Sequence, residues 1–220
     1  MKISKRLKKI ASLVDKNVDV VDIGCDHALL DIYLTLNNNN KCIASDLRPN
    51  IIEQALKNIE KYNLENKIKL ITSDGTKNIK IPLNSTIVIS GMGASTIVNI
   101  LQNTDHTNID NLVIQSNNDL ELLRKKTILL NYYIFDEEVI YDKNKYYVII
   151  KFKKGYKKYT KKELEFGPVL IHKKNKETKE FFKNIYDSNL FLIKKLNIKH
   201  LRIIIKYLVI NRNIKKLNLF

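Results

Sequence analysis

The chain has 220 residues, 44% of them hydrophobic and 28% charged, enough for one buried core plus an appendage and too apolar for a disordered chain. Two cysteines, Cys25 and Cys42, exclude a disulfide framework and a cysteine-rich zinc site; four histidines without paired spacing give no metal motif; and no apolar run reaches the ~18 residues of a membrane span. The net charge is +16, and the basic N-terminus, residues 1–9, has no apolar signal core, so the expectation is a cytoplasmic protein with neither membrane nor metal as partner.

Residues 1–14 are expected to form a helix, with Leu7, Ile10, Ala11 and Val14 on one face and lysines on the others. Strands and helices then alternate. Strands are expected at 18–23, 42–46, 68–73, 86–90 and 111–116. Helices are expected at 27–36, from Pro49 to about Tyr62, from Gly93 to about Leu101 and at 119–130. Five consecutive strand–helix units predict a parallel sheet with right-handed crossovers. Residues 132–141 and 146–154 then read as a hairpin around Asp142-Lys143-Asn144. A mostly parallel sheet closed by an antiparallel hairpin is the arrangement of the class I S-adenosylmethionine-dependent methyltransferases. Beyond residue 155 two helices are expected, at 174–197 and 198–217. Phe181, Ile185, Leu192 and Leu196 mark an apolar face on the first, and Leu201, Ile204, Ile205 and Leu208 one on the second. These stripes predict a helical hairpin packed like a coiled coil, and a domain division at 1–155 and 156–220.

Lys, Asn and Ile total 92 residues, so an AT-rich genome alone would raise the lysine count. That bias acts along the whole chain, whereas the charge does not. Residues 1–150 carry 19 basic against 18 acidic residues; residues 151–220 carry 20 against 5. The asymmetry points to a polyanion, nucleic acid before an anionic membrane surface, with a merely solvated lysine-rich helix pair as the alternative.

The residues with chemical potential fall at strand ends. Asp22-Ile23-Gly24-Cys25-Asp26-His27 spans the first strand-to-helix turn, where Gly24 spares a ligand the crowding of a Cβ. The three spaced glycines of a dinucleotide fingerprint are absent, which disfavours a pyrophosphate cradle. Asp26 is either functional or a helix N-cap, and His27 is either functional or a first-turn helix residue. Asp46, with Leu47 beside it, ends the second strand 22 positions after Gly24, a spacing suited to a carboxylate accepting both hydroxyls of a ribose. Ser73-Asp74-Gly75 ends the third strand, where an adenine ring would rest, though Asp-Gly alone marks only a turn. Ser90-Gly91-Met92-Gly93 ends the fourth, with two glycines that admit a ligand to the backbone. The Asn-Pro-Pro-Tyr signature of exocyclic amino methylation is absent.

Several runs together resemble the TrmK family, bacterial tRNA methyltransferases that make 1-methyladenine at position 22. They are Val21 to Ala28 with Leu30 and Tyr33-Leu34, Ile89 to Gly93, Ile114-Gln115-Ser116-Asn117 with Leu123-Arg124, Glu138 with Tyr146 to Ile150, and Phe166-Gly167-Pro168. The likeness runs in order along essentially the whole chain. Ala94, Ser116 and Asp31 depart from it, where Gly, Pro and Pro are usual. The resemblance implies methyl transfer from S-adenosylmethionine to N1 of an adenine in tRNA. It implies cofactor contacts from Asp22, Gly24, Cys25, Asp46, Leu47, Ser73, Asp74, Gly75, Ser90 and Gly91, with Asp26, His27, Met92 and Asn117 at the reacting centre. Lys5, Arg6, Lys9, Lys153, Lys154, Lys157, Lys158, Lys194 and Lys195 are the expected RNA contacts. Two rivals are an enzyme of this fold with another acceptor and a non-catalytic RNA binder on this scaffold. The basic tail argues against a small acceptor, and the intact Gly24, Asp46 and Asp74-Gly75 argue against a mere binder. The oligomeric state stays open, with a monomer preferred.

Overall fold

The computed structural model describes residues 1–220, the side chain of Ile198 excepted. Helix α1 (Lys5–Leu13) starts at Ser4, whose hydroxyl accepts the Leu7 N–H at 3.2 Å. Then follow β1 (Asp19–Ile23), α2 (Leu29–Asn38), β2 (Lys41–Asp46), α3 (Pro49–Glu60) and β3 (Ile68–Thr72). The second half holds β4 (Ser85–Met92), α4 (Ala94–Gln102), β5 (Ile109–Ser116), α5 (Leu120–Ile128), β6 (Tyr132–Asp142) and β7 (Lys145–Lys154). The tail is α6 (Lys161–Phe166), α7 (Lys176–Lys195), a 3-10 turn and α8 (Leu201–Lys216).

All seven strands form one sheet in the order β3-β2-β1-β4-β5-β7-β6. Pairing is parallel from β3 to β5, and β7 runs antiparallel between β5 and β6. The chain winds outward from β1 to β3 and then crosses to β4 on the other side of β1. Strand order therefore reverses between β1 and β4, which opens a crevice at the carboxyl ends of the strands.

The central strands are buried on both faces, hence their unbroken apolar runs. Alternate residues serve opposite layers. Val20, Val88, Val113 and Ile149 pack with Ile10, Ile32 and Ile59 of α1, α2 and α3. Val21, Ile89, Ile114 and Ile150 pack on the other face with Ile97 and Leu101 of α4.

Four expectations are corrected. The crossover from β3 to β4 contains turns and no helix, so the strand–helix units number four. Helix α2 begins at Leu29, two residues later than expected, because Asp26 (φ 51°) and Ala28 (φ 54°) take left-handed conformations that no right-handed helix contains. The apolar stripe on α8 is not its docking face: Leu201, Ile205 and Leu208 stay about half exposed, while Asn211 and Ile214 are buried. A buried amide pair joins the tail helices instead, Asn189 Nδ2 donating to Asn211 Oδ1 at 2.9 Å. Lastly, the core does not break at residue 155, since Leu164, Phe166, Leu170 and Phe182 belong to the same cluster as Leu112, Ile134 and Phe152.

A buried ion pair explains that continuity. Arg124 of α5 and Glu137 of β6 are almost wholly inaccessible and meet at 2.8 Å. Arg124 Nη1 donates to the carbonyls of Leu164 and Glu165, each at 3.1 Å, and Glu137 Oε2 accepts the Val169 N–H at 3.0 Å. Gly167 passes over the pair at φ 95°, where a Cβ would lie within 3 Å of both side chains. The segment that leads into the tail is thus clamped to the sheet domain.

Candidate active site

The loop after β1 is tied to the end of β2, with the N–H groups of Gly24 and Cys25 both reaching the Ser45 carbonyl, at 2.8 and 2.9 Å. This follows from register, because Ile23 pairs with Ser45, and it sets Gly24 beside Asp46. Gly24 has φ 78°, a conformation that favours glycine, and the Met92 methyl group occupies the space of a Cβ there. Asp26 and Ala28 are also left-handed, so three of the five residues 24–28 have positive φ.

Two adjoining clefts open along the crevice. One, of about 290 Å³, is lined by Asp22, Gly24, Cys25, Asp26, His27, Asp46, Ser90, Gly91 and Met92. The other, of about 240 Å³, is lined by Leu47, Ser73, Asp74, Gly75 and Ile100, and the two share Gly24, Asp46, Arg48 and Met92. The ten residues expected around a cofactor are therefore brought together from four strand ends. Asp26, His27 and Met92 join them, and Asn117 stands at the β4–β5 edge.

The carboxylates at this end of the sheet differ in state. Asp22 is buried beside Asp31; burial first, then the Asp31 charge, pushes its pKa well up. Asp31 is fully buried, neither of its oxygens has a hydrogen-bond donor among the described residues, and burial pushes it up to about 7. Two buried carboxyls side by side resist ionising together. Asp46 is also desolvated, but the Arg48 fork (Nε to Oδ1 2.9 Å, Nη2 to Oδ2 3.1 Å) outweighs that and holds its pKa below the ordinary value. Asp26 is 65% exposed, and its nearest cation-forming partner, His27 Nε2, is 3.8 Å away. It caps no helix, so the N-cap alternative falls. His27 lies before α2, not in its first turn, and its Nδ1 is buried without a partner among the described residues.

Asn117 is held from three sides. Its N–H donates to the Met92 carbonyl at 2.8 Å, its Nδ2 to the Gly91 carbonyl at 2.6 Å, and its Oδ1 accepts from Gln115 Nε2 at 3.1 Å. Gln115 is fully buried, and its Oε1 accepts from Arg6 Nη1 at 2.5 Å. Asn118 Oδ1 accepts the Ala94 N–H at 2.8 Å, at the start of α4. Ser116 stabilises this turn by bonding its hydroxyl to the Asn118 carbonyl at 2.6 Å.

The expected RNA contacts scatter. Arg6 lines the larger cleft and also lies over the Tyr147 ring at 5.3 Å. Lys5 is exposed, and Lys9 is 3.6 Å from Glu138. Lys153 pairs with Asn111, four residues down β5 from Gln115, so it sits roughly 13 Å from the cleft end of the sheet. It covers the Phe135 ring at 3.9 Å, and Lys154 donates to the carbonyls of His106 and Thr107. These two lysines are occupied within the fold, away from the cleft. Lys157, Lys158, Lys194 and Lys195 are exposed in the tail. Sequence reasoning missed Arg48 and Gln115. The only available signals were the Asp-x-Arg spacing and a glutamine ending a buried strand. Among the described residues no cluster of His, Cys, Asp and Glu could hold a metal, and no helix is long and apolar enough to cross a membrane.

Comparison with known proteins places this geometry. The methyltransferase-domain family matches residues 3–150. A protein of Mycoplasma genitalium, MG248, named as a candidate tRNA methyltransferase, is 37% identical over 78% of this chain and 80% of its own length. The Bacillus subtilis tRNA (adenine(22)-N(1))-methyltransferase is 29% identical over 68% of this chain and 64% of that protein. Among solved structures, TrmK of M. capricolum in complex with S-adenosyl-homocysteine superposes with a TM-score of 0.82 at 34% identity, covering 99% of this chain and 97% of that one. The Streptococcus pneumoniae protein Sp1610 in complex with S-adenosyl-L-methionine gives 0.88 at 25% identity, covering 98% and 99%. The two superpositions take in the tail as well as the closing hairpin, and the chain belongs to the TrmK family of class I methyltransferases.

Proposed function

We propose that the protein transfers the methyl group of S-adenosylmethionine to N1 of adenine 22 in tRNA. The observation that carries this is the convergence of the family's motif residues on the crevice between β1 and β4, in a chain like M. capricolum TrmK from end to end. Its workplace is then the cytoplasm, with the tRNA pool.

The residues suit the cofactor. Asp46 offers both oxygens to a ribose diol. Its present partner Arg48 is 60% exposed and free to turn out into solvent, whereas Asp46 is 5% exposed and fixed at the cleft wall, where a ribose would meet it. Arg48 therefore yields. Leu47 and Ile100 give an adenine ring apolar walls, and Asp74 and Ser73 stand at its edge. Asp22 faces the cofactor's ammonium. Arg6, bound to Gln115 by one arm, has donors left for its carboxylate. This moves Arg6 from the RNA contacts to the cofactor.

The bound cofactor supplies an electrophilic methyl on a sulfonium. The chain supplies no base, because adenine N1 carries a free lone pair at neutral pH. Its task is alignment and exclusion of water, which can lower the barrier by roughly 7–11 kcal/mol. The methylated ring is cationic, and acceptors at its exocyclic amino group stabilise the charge as it develops. Asp26 is the carboxylate of the cleft left open for this, since Asp22 is buried against Asp31 and Asp46 is taken by the ribose. The Gly91 carbonyl, oriented by Asn117, is the second acceptor. Asn117 thus acts on the backbone, and not by turning the base itself.

The test is transfer of labelled methyl from the cofactor to unmodified tRNA, followed by nucleoside analysis. Label in 1-methyladenosine, lost when adenine 22 is replaced, is expected. Label in another nucleoside would move the protein to a different acceptor.

A further inference from the structure

A third cleft, of about 360 Å³, lies between the β5–α5 turn, the start of β7 and the two tail helices, and the reaction above does not fill it. Its floor is buried and apolar, made by Val148, Phe166 and Phe182. Tyr146 and Phe181 form an aromatic side, their ring centres 6.0 Å apart and their planes tilted by 60°. Phe181 is braced from behind by Phe182 at 5.2 Å. The mouth is polar, with the amides of Asn117 and Asn118, the carboxylates of Asp119 and Glu165, and Lys206 on the α8 side. Asn117 belongs to two sites, because it lines this mouth while bonding the backbone of Gly91 and Met92 in the wall of the cofactor cleft.

We propose that this cleft receives a second unstacked base of the same tRNA, one bearing an exocyclic amino group, close in the strand to the base that is methylated. The proposal rests on the tRNA reading above and adds a recognition site to it. Half-buried aromatic rings that line a cleft are stacking platforms for bases. The carboxylates at the mouth repel a phosphate and accept from an amino group, so the base enters and the backbone stays outside. Lys206 and the exposed lysines of the tail lie where that backbone would run. A target inside a stem must leave its stack, and holding a neighbour unstacked keeps the strand open during transfer.

The full-length protein tests this with Phe181→Leu, which keeps apolar bulk but removes the ring, and Phe181→Tyr, which restores one. Tyr146→Leu is the second probe, at a partly exposed position that does not depend on the Phe182 contact. Affinity for unmodified tRNA is measured by fluorescence anisotropy at several salt concentrations, and S-adenosylmethionine affinity by calorimetry. Loss of one stacked base predicts roughly 5- to 150-fold weaker tRNA binding with the salt slope and cofactor affinity unchanged, and recovery in Phe181→Tyr. Wild-type tRNA affinity in folded Phe181→Leu and Tyr146→Leu overturns the proposal. So does a weakened variant with a shallower salt slope, which would mean that phosphate contacts were lost and not a base. If the wild-type protein methylates no tRNA, the functional reading itself falls, a result separate from an active enzyme indifferent to these substitutions.

Discussion

Removing one side of the Arg124–Glu137 pair is the sharpest test of how the tail is attached. In Arg124→Met the apolar stem is kept and the guanidinium is lost. Three hydrogen bonds go with it: one to Glu137 at 2.8 Å and two to the Leu164 and Glu165 carbonyls at 3.1 Å. Glu137 is left fully buried with backbone donors only, from Val169 at 3.0 Å and Leu170 at 3.4 Å. An uncompensated buried charge of this kind costs about 3–5 kcal/mol. Replacing both partners, as Arg124→Met with Glu137→Leu, removes the lone charge, so the double variant should recover about 1–4 kcal/mol relative to Arg124→Met. Urea unfolding followed by circular dichroism measures all three stabilities. The double variant should still bind tRNA poorly, because the Leu164–Leu170 segment that carries the tail has lost its anchors. A folded Arg124→Met less than ~1 kcal/mol below wild type, with normal tRNA affinity, would show that apolar packing alone seats the tail.

Asp46→Ala should weaken S-adenosylmethionine by roughly 10- to 150-fold, whereas Arg48→Ala should change it by less than about 5-fold; calorimetric titration that finds Arg48 the more important would put the ribose elsewhere. Asp31→Asn should make the protein more stable above pH 7 by about 1–3 kcal/mol, read from thermal or urea unfolding across pH. The sign follows from burial holding Asp31 up at about 7 against an ordinary 3.8: the folded state keeps the proton longer, so this group's contribution is greatest below pH 3.8, falls as pH rises to about 7, and stays lost above it. An Asp31→Asn curve parallel to wild type between those limits would mean that burial does not raise Asp31. Asp26→Asn should slow single-turnover methyl transfer on saturating tRNA by about 10- to 100-fold with little change in cofactor affinity, and a wild-type rate would leave Asp26 without a substrate role. Truncation after residue 155, which on sequence alone would spare the sheet domain, should instead give an unstable product, because it strips Leu164, Phe166, Leu170 and Phe182 from the core; a soluble fragment that binds the cofactor normally would refute this.

The sheet and its crevice were legible in the sequence because their causes are local. A strand buried on both faces must be an apolar run, as at Val20–Ile23 and Leu112–Ile114, and a chain turning back at a strand end needs a residue such as Gly24. Strand alternation, the closing hairpin and the position of Asp46 at the end of β2 follow from such runs and from counting. Where side chains from distant segments meet is another matter. Arg124, Glu137 and Gly167 are scattered over 43 positions, and only the tertiary fold makes them one buried clamp that erases the expected boundary at residue 155. Asp26 carried one sequence pattern for two roles, and the left-handed backbone around it decided against the cap. Charge was the least reliable guide. Composition located the basic excess in the tail, but antiparallel pairing turned Lys153 and Lys154 to the far end of the sheet, while Arg6, from the opposite end of the chain, came to the cleft. A lysine count records how many cations a segment carries, whereas their direction depends on strand register and helix packing, which long-range contacts alone determine.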